Sequence, residues 1–205
     1  MNSQLRAVRH EDLLLITLEH PSGLPRLERG VLRELGREIE RLAAAREFVG
    51  AVITGSARAF CAGAELGEIT SLLGGDALEF AREGQGVMER IERSAKPVIA
   101  AVRGYCMGGG FDLALACRWR VAGRDAVFAH RGAALGLVTG WGGTQRLARL
   151  IGRARTTEIL VTGNTIAADE ALAIGIVREI VVDDEVLPRA MQLARGYALK
   201  LVPKI

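Results

Sequence analysis

Aromatic residues are scarce in this sequence, at 4% of 205 residues, and their scarcity bears on nucleic-acid binding. Proteins that bind single strands stack bases on aromatic side chains, and proteins that bind duplexes present a basic stripe. Here the net charge is only +3, and the basic residues are scattered along the chain. We therefore expect no nucleic-acid partner.

Cysteines and long apolar runs are also few. The cysteines Cys61, Cys106 and Cys117 lack metal-ligand spacing, and an odd number does not suit a disulfide framework. This usage is typical of a reducing compartment, so we predict a cytoplasmic protein without a metal site. The polar N-terminus does not resemble a secretory signal. No apolar run reaches the roughly 18 residues of a membrane span, so no membrane association is expected.

Short apolar strands alternate with amphipathic helices along the chain. Leu13 to Leu18 has strand character, and the segment from Leu27 to Arg46 places Val31, Leu35 and Ile39 on one helical face. Further strands are predicted at 49–54, 97–102, 119–122, 126–129 and 176–182, and further helices at 77–94, 153–161 and 185–201. This alternation predicts an α/β fold, and no repeat or linker divides it.

A glycine-rich turn, Gly104 to Gly110, joins a strand to a helix that runs through Cys117. Glycines allow a sharp turn and a close approach of a ligand to the backbone. The first N–H groups of a helix lack internal acceptors, and the helix dipole favours negative charge there. The turn is therefore a candidate anion site, although a tight strand-to-helix turn without a ligand gives the same pattern.

Three segments carry a more specific signal. They are Ala59-Phe60-Cys61-Ala62-Gly63-Ala64-Glu65-Leu66, Pro97 to Ala114 with its run Met107-Gly108-Gly109-Gly110, and Gly140-Trp141-Gly142-Gly143-Thr144-Gln145-Arg146-Leu147. Their order and spacing resemble the crotonase superfamily, also called the enoyl-CoA hydratase/isomerase family. The resemblance runs from His20 to about Leu201.

The resemblance implies a crotonase-like spiral of repeated strand–strand–helix turns, a fold related to that of caseinolytic protease. It implies one domain over residues 1–205, with a spiral core at about 1–180 and the start of a C-terminal helical region at 183–205. Because family members usually continue for further helices, the helical lid is expected to be short or absent. The resemblance also implies a homotrimer or hexamer and an acyl-CoA substrate. Coenzyme A is then part of the substrate, and no separate cofactor is expected.

In the family, two backbone N–H groups bind the thioester oxygen, and the matching positions are Ala64 and Gly109. The resemblance assigns further substrate or coenzyme A contacts to Ala62, Gly63, Glu65, Leu66 and Gly108. Such an oxyanion hole stabilises any reaction through a thioester enolate, so it does not name the reaction. Family members usually carry asparagine where this chain has Pro25, which alters the local coenzyme A contacts.

Side chains at two positions limit the reactions that the sequence favours. Hydratases of this family carry two glutamates, and the first position matches Asp112, one helical turn after Gly109. Asp112 could act as general acid or base, or it could simply cap the helix start. The second position matches Gly132, so one of the two carboxylates is missing. This favours single-acid chemistry such as double-bond isomerisation, or decarboxylation of a malonyl-type CoA.

Three residues close to Gly132 could complete the site. His130, on a predicted strand end, would face the same side as Gly132 and could transfer protons, or it could be a buried structural histidine near a subunit contact. Arg131 and Trp141 could line the acyl pocket, where Arg131 would bind a substrate carboxylate or stay solvated. Phe128-x-His130 followed by Trp141-Gly-Gly is similar to the ethylmalonyl-CoA decarboxylase branch.

Two other classes of protein fit parts of the sequence. Cys106-Met107-Gly108 and His130 fall at positions comparable to the serine and histidine of caseinolytic protease, so a peptidase with a Cys–His dyad is one alternative. A non-catalytic acyl-CoA-binding or assembly subunit is the other. It would have affinity for coenzyme A but no turnover with any thioester.

Overall fold

The structure is a computed structural model that describes residues 2–72 and 75–201. The predicted alternation of strands and helices is confirmed, and the strands form two sheets. The larger sheet has the order β1-β2-β3-β5-β7-β10, with β1 antiparallel to β2 and the other neighbours parallel. Its strands are β1 (Gln4–His10), β2 (Leu13–Glu19), β3 (Gly50–Thr54), β5 (Val98–Val102), β7 (Trp119–Gly123) and β10 (Glu179–Val181).

A smaller sheet runs beside the first, in the order β4-β6-β8-β9. Its strands are β4 (Ala59–Cys61), β6 (Tyr105–Met107), β8 (Val127–Ala129) and β9 (Ile166–Ala167). In each of the pairs β3–β4, β5–β6 and β7–β8, the first strand joins the larger sheet and the second joins the smaller one. The chain then continues into helices. These are the repeated strand–strand–helix turns of a crotonase-like spiral.

Eight α-helices surround the sheets in the described residues. They are α1 (Arg29–Ala44), α2 (Leu66–Ser71), α3 (Gly75–Glu92), α4 (Gly109–Ala116), α5 (Gly143–Ile151), α6 (Arg153–Thr162), α7 (Ala168–Ala173) and α8 (Val186–Leu201). None of the helices in the described ranges is both long and apolar enough to cross a membrane. The last four positions predicted as C-terminal helical region, 202–205, lie outside the described residues.

The larger sheet is buried on both faces. Leu14 and Ile16 point into the core that includes α1, α3 and α4, whereas Leu13 and Leu15 pack under α8. Alternate side chains of a strand point to opposite faces, so a strand covered on both sides needs an unbroken apolar run. This explains the apolar run of β2.

Several short elements differ from the sequence predictions. Neither β4 nor β6 was predicted as a strand, and β6 lies inside the segment predicted as a glycine-rich turn, because three-residue strands leave no periodicity to recognise. The strand predicted at 176–182 is confirmed only at Glu179–Val181. Ile176 and Val177 instead donate backbone hydrogen bonds to the carbonyl of Ala171, so they close the end of α7.

Candidate active site

A cavity of about 600 Å³ opens at the N-terminus of α4, between α2 and α3 on one side and the segment 131–141 on the other. Apolar side chains dominate its wall. The sequence-predicted residues that line it are Ala62, Gly63, Ala64, Leu66, Gly108, Gly109, Asp112, His130, Arg131, Gly132 and Trp141. Glu65 is not among the lining residues: its carboxylate accepts from Gly67 N and pairs with Arg26.

The loop after β4 is clamped by the backbone of residues 25–27. Ala62 N–H donates to Pro25 O at 2.8 Å, and Leu27 N–H donates to Gly63 O at 2.8 Å. Position 25 contributes its carbonyl to this clamp, and proline retains that group. The two hydrogen bonds leave Ala64 at the cavity wall, where its N–H donates to no protein acceptor among the described residues.

Gly109 begins α4 directly beside Ala64. Gly108 turns the chain with φ 51°, and its N–H donates to Ala129 O of the neighbouring strand at 2.8 Å. An ideal Cβ built on Gly109 would lie 3.4 Å from Ala64 N, and one built on Gly63 would lie 3.5 Å from Gly109 N. Gly109 is the first helical residue, so its N–H has no intrahelical acceptor. Two backbone amides from distant segments thus meet at one wall of the cavity.

Asp112 stands one turn further along α4 with its carboxylate 1% exposed. Its Oδ1 lies 3.3 Å from Nε2 of His130, but the alignment is not that of a hydrogen bond, and both atoms lack a hydrogen-bond partner among the described residues. The other oxygen, Oδ2, accepts from the hydroxyl of Thr139. Phe111 stacks on the His130 ring, with centroids 4.9 Å apart. The pair faces the cavity, which both residues line.

Burial moves both pKa values. It raises the pKa of Asp112 to about 6, against the opposing effects of the Thr139 hydroxyl, the Trp141 backbone and the Arg146 charge. It lowers the pKa of His130 to about 4. At neutral pH the cavity therefore holds a carboxylate beside a neutral imidazole. A carboxylate with a pKa near 6 is a stronger base than an exposed one and can still be protonated during a reaction.

The Gly-Trp-Gly-Gly motif brings α5 up to this carboxylate. Gly142 precedes the helix with φ 96°, and Gly143 is its first residue. A Cβ on Gly143 would overlap Oδ1 of Asp112 and come within 2.9 Å of Nε2 of His130. Glycine is therefore required at position 143 by the close approach of the helix, and the positive end of the α5 dipole lies next to the acid.

The predicted strand geometry around His130 is replaced by a 3-10 helix. β8 ends at Ala129, and residues Arg131–Leu135 form the 3-10 helix, so positions 130 and 132 do not alternate as in a strand. His130 and Gly132 nevertheless both line the cavity. A Cβ on Gly132 would lie 2.7 Å from the carbonyl oxygen of Leu137, so the backbone already fills the place of a side chain there.

Two further predicted pocket residues differ in burial. Arg131 is exposed at the rim, whereas Trp141 is 4% exposed with its indole against α3 and α4. Thr139 is a site residue that sequence reasoning missed. In the sequence, nothing except its position two residues before Trp141 pointed to a role for Thr139. Its hydrogen bond to Asp112 in the structure places it in the site.

The arrangement around Cys106 does not support a cysteine peptidase. The thiol is buried, donates to the carbonyl of Gly110 at 3.5 Å, and is not among the cavity-lining residues. Burial holds its pKa well above the usual value, which favours the unreactive thiol. In the described ranges, no three histidine, cysteine or acidic side chains gather closely enough to hold a metal ion.

Known proteins share both the sequence pattern and this architecture. The sequence profile of enoyl-CoA hydratase/isomerase matches residues 9–202. The chain is 36% identical over 187 residues to crotonyl-CoA hydratase of Syntrophomonas wolfei, which spans 91% of this chain and 72% of that protein. It is 37% identical over 196 residues to 2,3-dehydroadipyl-CoA hydratase of Escherichia coli, covering 96% of this chain and 76% of that protein.

Solved structures have the same architecture as this chain. DspI of Pseudomonas aeruginosa superposes with a TM-score of 0.91 at 34% identity, over 97% of this chain and 76% of that one. The enoyl-CoA hydratase of Bacillus anthracis has a TM-score of 0.88 at 31% identity, over 97% of this chain and 77% of that one. The match therefore covers both the sheets and the cavity, and the chain belongs to the enoyl-CoA hydratase/isomerase family of crotonase-type enzymes, which act on acyl-CoA thioesters.

Proposed function

We propose that this enzyme moves a proton within an enoyl-CoA thioester, through an enolate whose oxygen accepts hydrogen bonds from Ala64 N–H and Gly109 N–H. The adjacency of the two backbones and their lack of protein acceptors support this assignment. A donor aimed at a developing oxyanion typically contributes about 3 kcal/mol to the transition state. The dipole of α4 adds to the same effect, since Gly109 is at its positive end.

Asp112 is the acid/base in this proposal. The observation that carries it is that Asp112 is the sole carboxylate among the described residues lining the cavity. For double-bond isomerisation, the Asp112 carboxylate takes a proton from C2, the C–H electron pair passes into the dienolate, and the carboxyl group returns the same proton to C4. This proton transfer needs neither water nor a second acid. It therefore suits a cavity with one carboxylate and a mainly apolar wall.

His130 supports Asp112 in this mechanism. A pKa near 4 makes the imidazole a weak base, so it does not compete for the substrate proton. Nε2 of the ring lies 3.3 Å from Oδ1 without a hydrogen bond to it, and the stacking of Phe111 holds the imidazole in that position. The loop around Ala62 and Leu66 is assigned to coenzyme A, and assembly as a homotrimer or hexamer stays a prediction.

Hydration is a second candidate, favoured by the place of Asp112 and His130 side by side in the cavity wall, where a substrate water would lie against the carboxylate. Asp112 would take a proton from that water, the hydroxyl would add to C3, and Asp112 would return its proton to C2. Several relatives of this chain are named as hydratases, which supports the same reaction class.

A panel of thioesters assayed in deuterium oxide separates the reactions. Purified enzyme is incubated with 2-enoyl-, 3-enoyl-, hydroxyacyl- and malonyl-type CoA, and products are resolved by chromatography and mass spectrometry. Isomerisation moves the double bond without net addition, and retention of hydrogen at C4 marks the return of the same proton. Hydration adds the mass of one deuterium oxide, and decarboxylation replaces the lost carboxylate with deuterium.

Asp112→Asn is the test variant, because asparagine keeps the shape but does not accept a proton. We expect at least a hundredfold loss of kcat, in the range of general acid–base contributions. Asp125→Asn is the matched control, since Asp125 is exposed in the turn between β7 and β8. Full turnover by Asp112→Asn would exclude Asp112 as the acid/base. Coenzyme A binding without turnover of any thioester would instead point to a non-catalytic subunit.

A further inference from the structure

The indole of Trp141 fills the space between two helices in the wall of the cavity. A Cβ on Gly84, in α3, would overlap the five-membered part of the ring, and a Cβ on Gly109, in α4, would overlap Cζ3 of the six-membered part. The side chain is only 4% exposed, yet it lines the cavity. One ring face or edge is therefore the cavity wall beside the amide assigned to the thioester oxygen.

Gly84 is informative because it lies inside a long helix. Glycine is less favourable than alanine in a helix interior, so an interior glycine usually has a packing reason. Here the reason is direct, since the indole of Trp141 occupies the volume of any side chain at position 84. The sequence of α3 thus accommodates this ring, although the two residues are far apart along the chain.

Further contacts hold the indole in place. Phe80, also in α3, meets the ring edge-on, with centroids 5.4 Å apart. The backbone carbonyl of Trp141 accepts from Arg146 of α5 at 2.8 Å, and Arg146 pairs with Glu92 of α3 at 2.8 Å. Since the ring is packed on both sides and its backbone is tied to two helices, a substrate does not displace it easily.

We propose that Trp141 is the stop of the acyl channel and restricts this enzyme to short acyl groups. The inference rests on the proposed function, because the thioester oxygen at Gly109 N–H fixes where the acyl chain begins. Asp112 and the indole line the cavity next to that point, and the indole contacts the same glycine, so an acyl chain that extends past Asp112 would meet the ring. The rest of the cavity, toward α2, the loop at 62–66 and the segment 131–138, is then left to the coenzyme A arm.

Binding of saturated acyl-CoAs tests the stop without requiring turnover. Dissociation constants are measured by calorimetry for coenzyme A and for acetyl-, butyryl-, hexanoyl- and octanoyl-CoA. The wild-type enzyme should bind butyryl-CoA more tightly than octanoyl-CoA. Trp141→Ala should reverse that order, with affinity gaining up to about fourfold for each added methylene that enters the vacated space.

Trp141→Phe and Trp119→Phe make the test robust. Trp141→Phe keeps an aromatic ring and should give an intermediate length limit even if the alanine variant is unstable. Trp119 lies in β7 outside the cavity, with Arg178 over its ring, so Trp119→Phe should leave the length profile unchanged. An identical length profile in wild-type and both Trp141 variants would overturn the proposal.

The design also separates this inference from the proposed function. Saturated acyl-CoAs cannot be isomerised or hydrated, so the length profile does not depend on the role of Asp112. If neither coenzyme A nor any acyl-CoA binds, the assignment of the cavity to acyl-CoA fails. If they bind with no dependence on acyl length in either protein, only the role of Trp141 fails.

Discussion

Asp112 shows how three neighbours decide what one carboxylate can do. Burial alone would raise its pKa further, but the Thr139 hydroxyl, the Trp141 backbone and the Arg146 charge oppose it. The result is a pKa of about 6, which keeps the group ionised at neutral pH. If Asp112 is the base, kcat/KM should fall as the pH drops below about 6.

Thr139→Val should shift the fall of kcat/KM at acidic pH to a higher pH. The hydroxyl donates to Oδ2 and stabilises the carboxylate, so its removal raises the pKa of Asp112 and leaves less of the base ionised. Thr139→Ser retains the donor, so its kcat/KM should fall at the same pH as in the wild-type enzyme. The measurement is the pH dependence of kcat/KM for the three proteins. If kcat/KM of the valine variant fell at the same pH as that of the wild-type enzyme, the result would contradict a positioning role for Thr139.

At the scale of elements, the function depends on α4 being held at both ends. Its N-terminus carries Gly109, and its C-terminus is fixed by Arg120 of β7. The buried Arg120 guanidinium donates to the carbonyls of Ala114, Cys117 and Ile176. A positive charge at a helix C-terminus is favourable, so the dipole of α4 helps to offset the burial of this cation.

Arg120→Met should lower the free energy of unfolding by at least about 3 kcal/mol, because three buried carbonyls lose their donor and each loss is worth about 1 to 3 kcal/mol. The exposed Arg124→Met variant in the following turn is the control and should change stability little. Urea titration of both variants measures the difference. Equal stability of the two would show that the carbonyls find other partners.

Two glycines of α3 should respond in opposite ways to alanine. Gly86 has no neighbour within 4 Å of an ideal Cβ, so Gly86→Ala should stabilise the protein by up to about 1 kcal/mol through helix propensity. Gly84→Ala gains the same propensity but collides with the Trp141 indole, so it should destabilise by about 1 to 3 kcal/mol. Thermal unfolding of the pair checks this, and a stabilised Gly84→Ala would mean that the indole moves freely.

At the scale of the whole molecule, the Asp112–His130 pair affects the pH dependence of folding in two opposing ways. The folded pKa of Asp112 is raised from 3.8 to about 6, so its contribution to stability falls as the pH rises through that window. The folded pKa of His130 is lowered from 6.5 to about 4, so its contribution rises with pH over nearly the same window. Between about pH 4 and 6 the two slopes largely cancel in the wild-type protein.

Single variants should reveal each slope. In Asp112→Asn, His130 is the member of the pair that still titrates, so its contribution to stability should increase from pH 4 to pH 6.5, by an amount on the order of 3 kcal/mol. In His130→Gln, Asp112 is the member that still titrates, and its contribution should decrease between pH 4 and 6. Denaturant titrations at a series of pH values measure both. Slopes of the same sign in the two variants would contradict the assignment of the shifts.

The alternation of apolar strands and helices followed from the sequence, because strand periodicity and helix starts depend on residues close together in the chain. The family, and with it the positions of Ala64, Gly109 and Asp112, followed from the resemblance of three segments to the crotonase superfamily. The short strands β4 and β6 did not follow, since three-residue strands are defined by their pairing with each other and with β8.

Only the tertiary structure decided the side-chain partners within the site. It turned Glu65 away from the cavity to cap α2, placed the Thr139 hydroxyl on Asp112, and set the indole of Trp141 against Gly84. The last two contacts join residues from separate elements, and their distances depend on how those elements pack. A chain pattern does not encode such a distance, so the sequence determined which groups are present and the packing decided which of them meet.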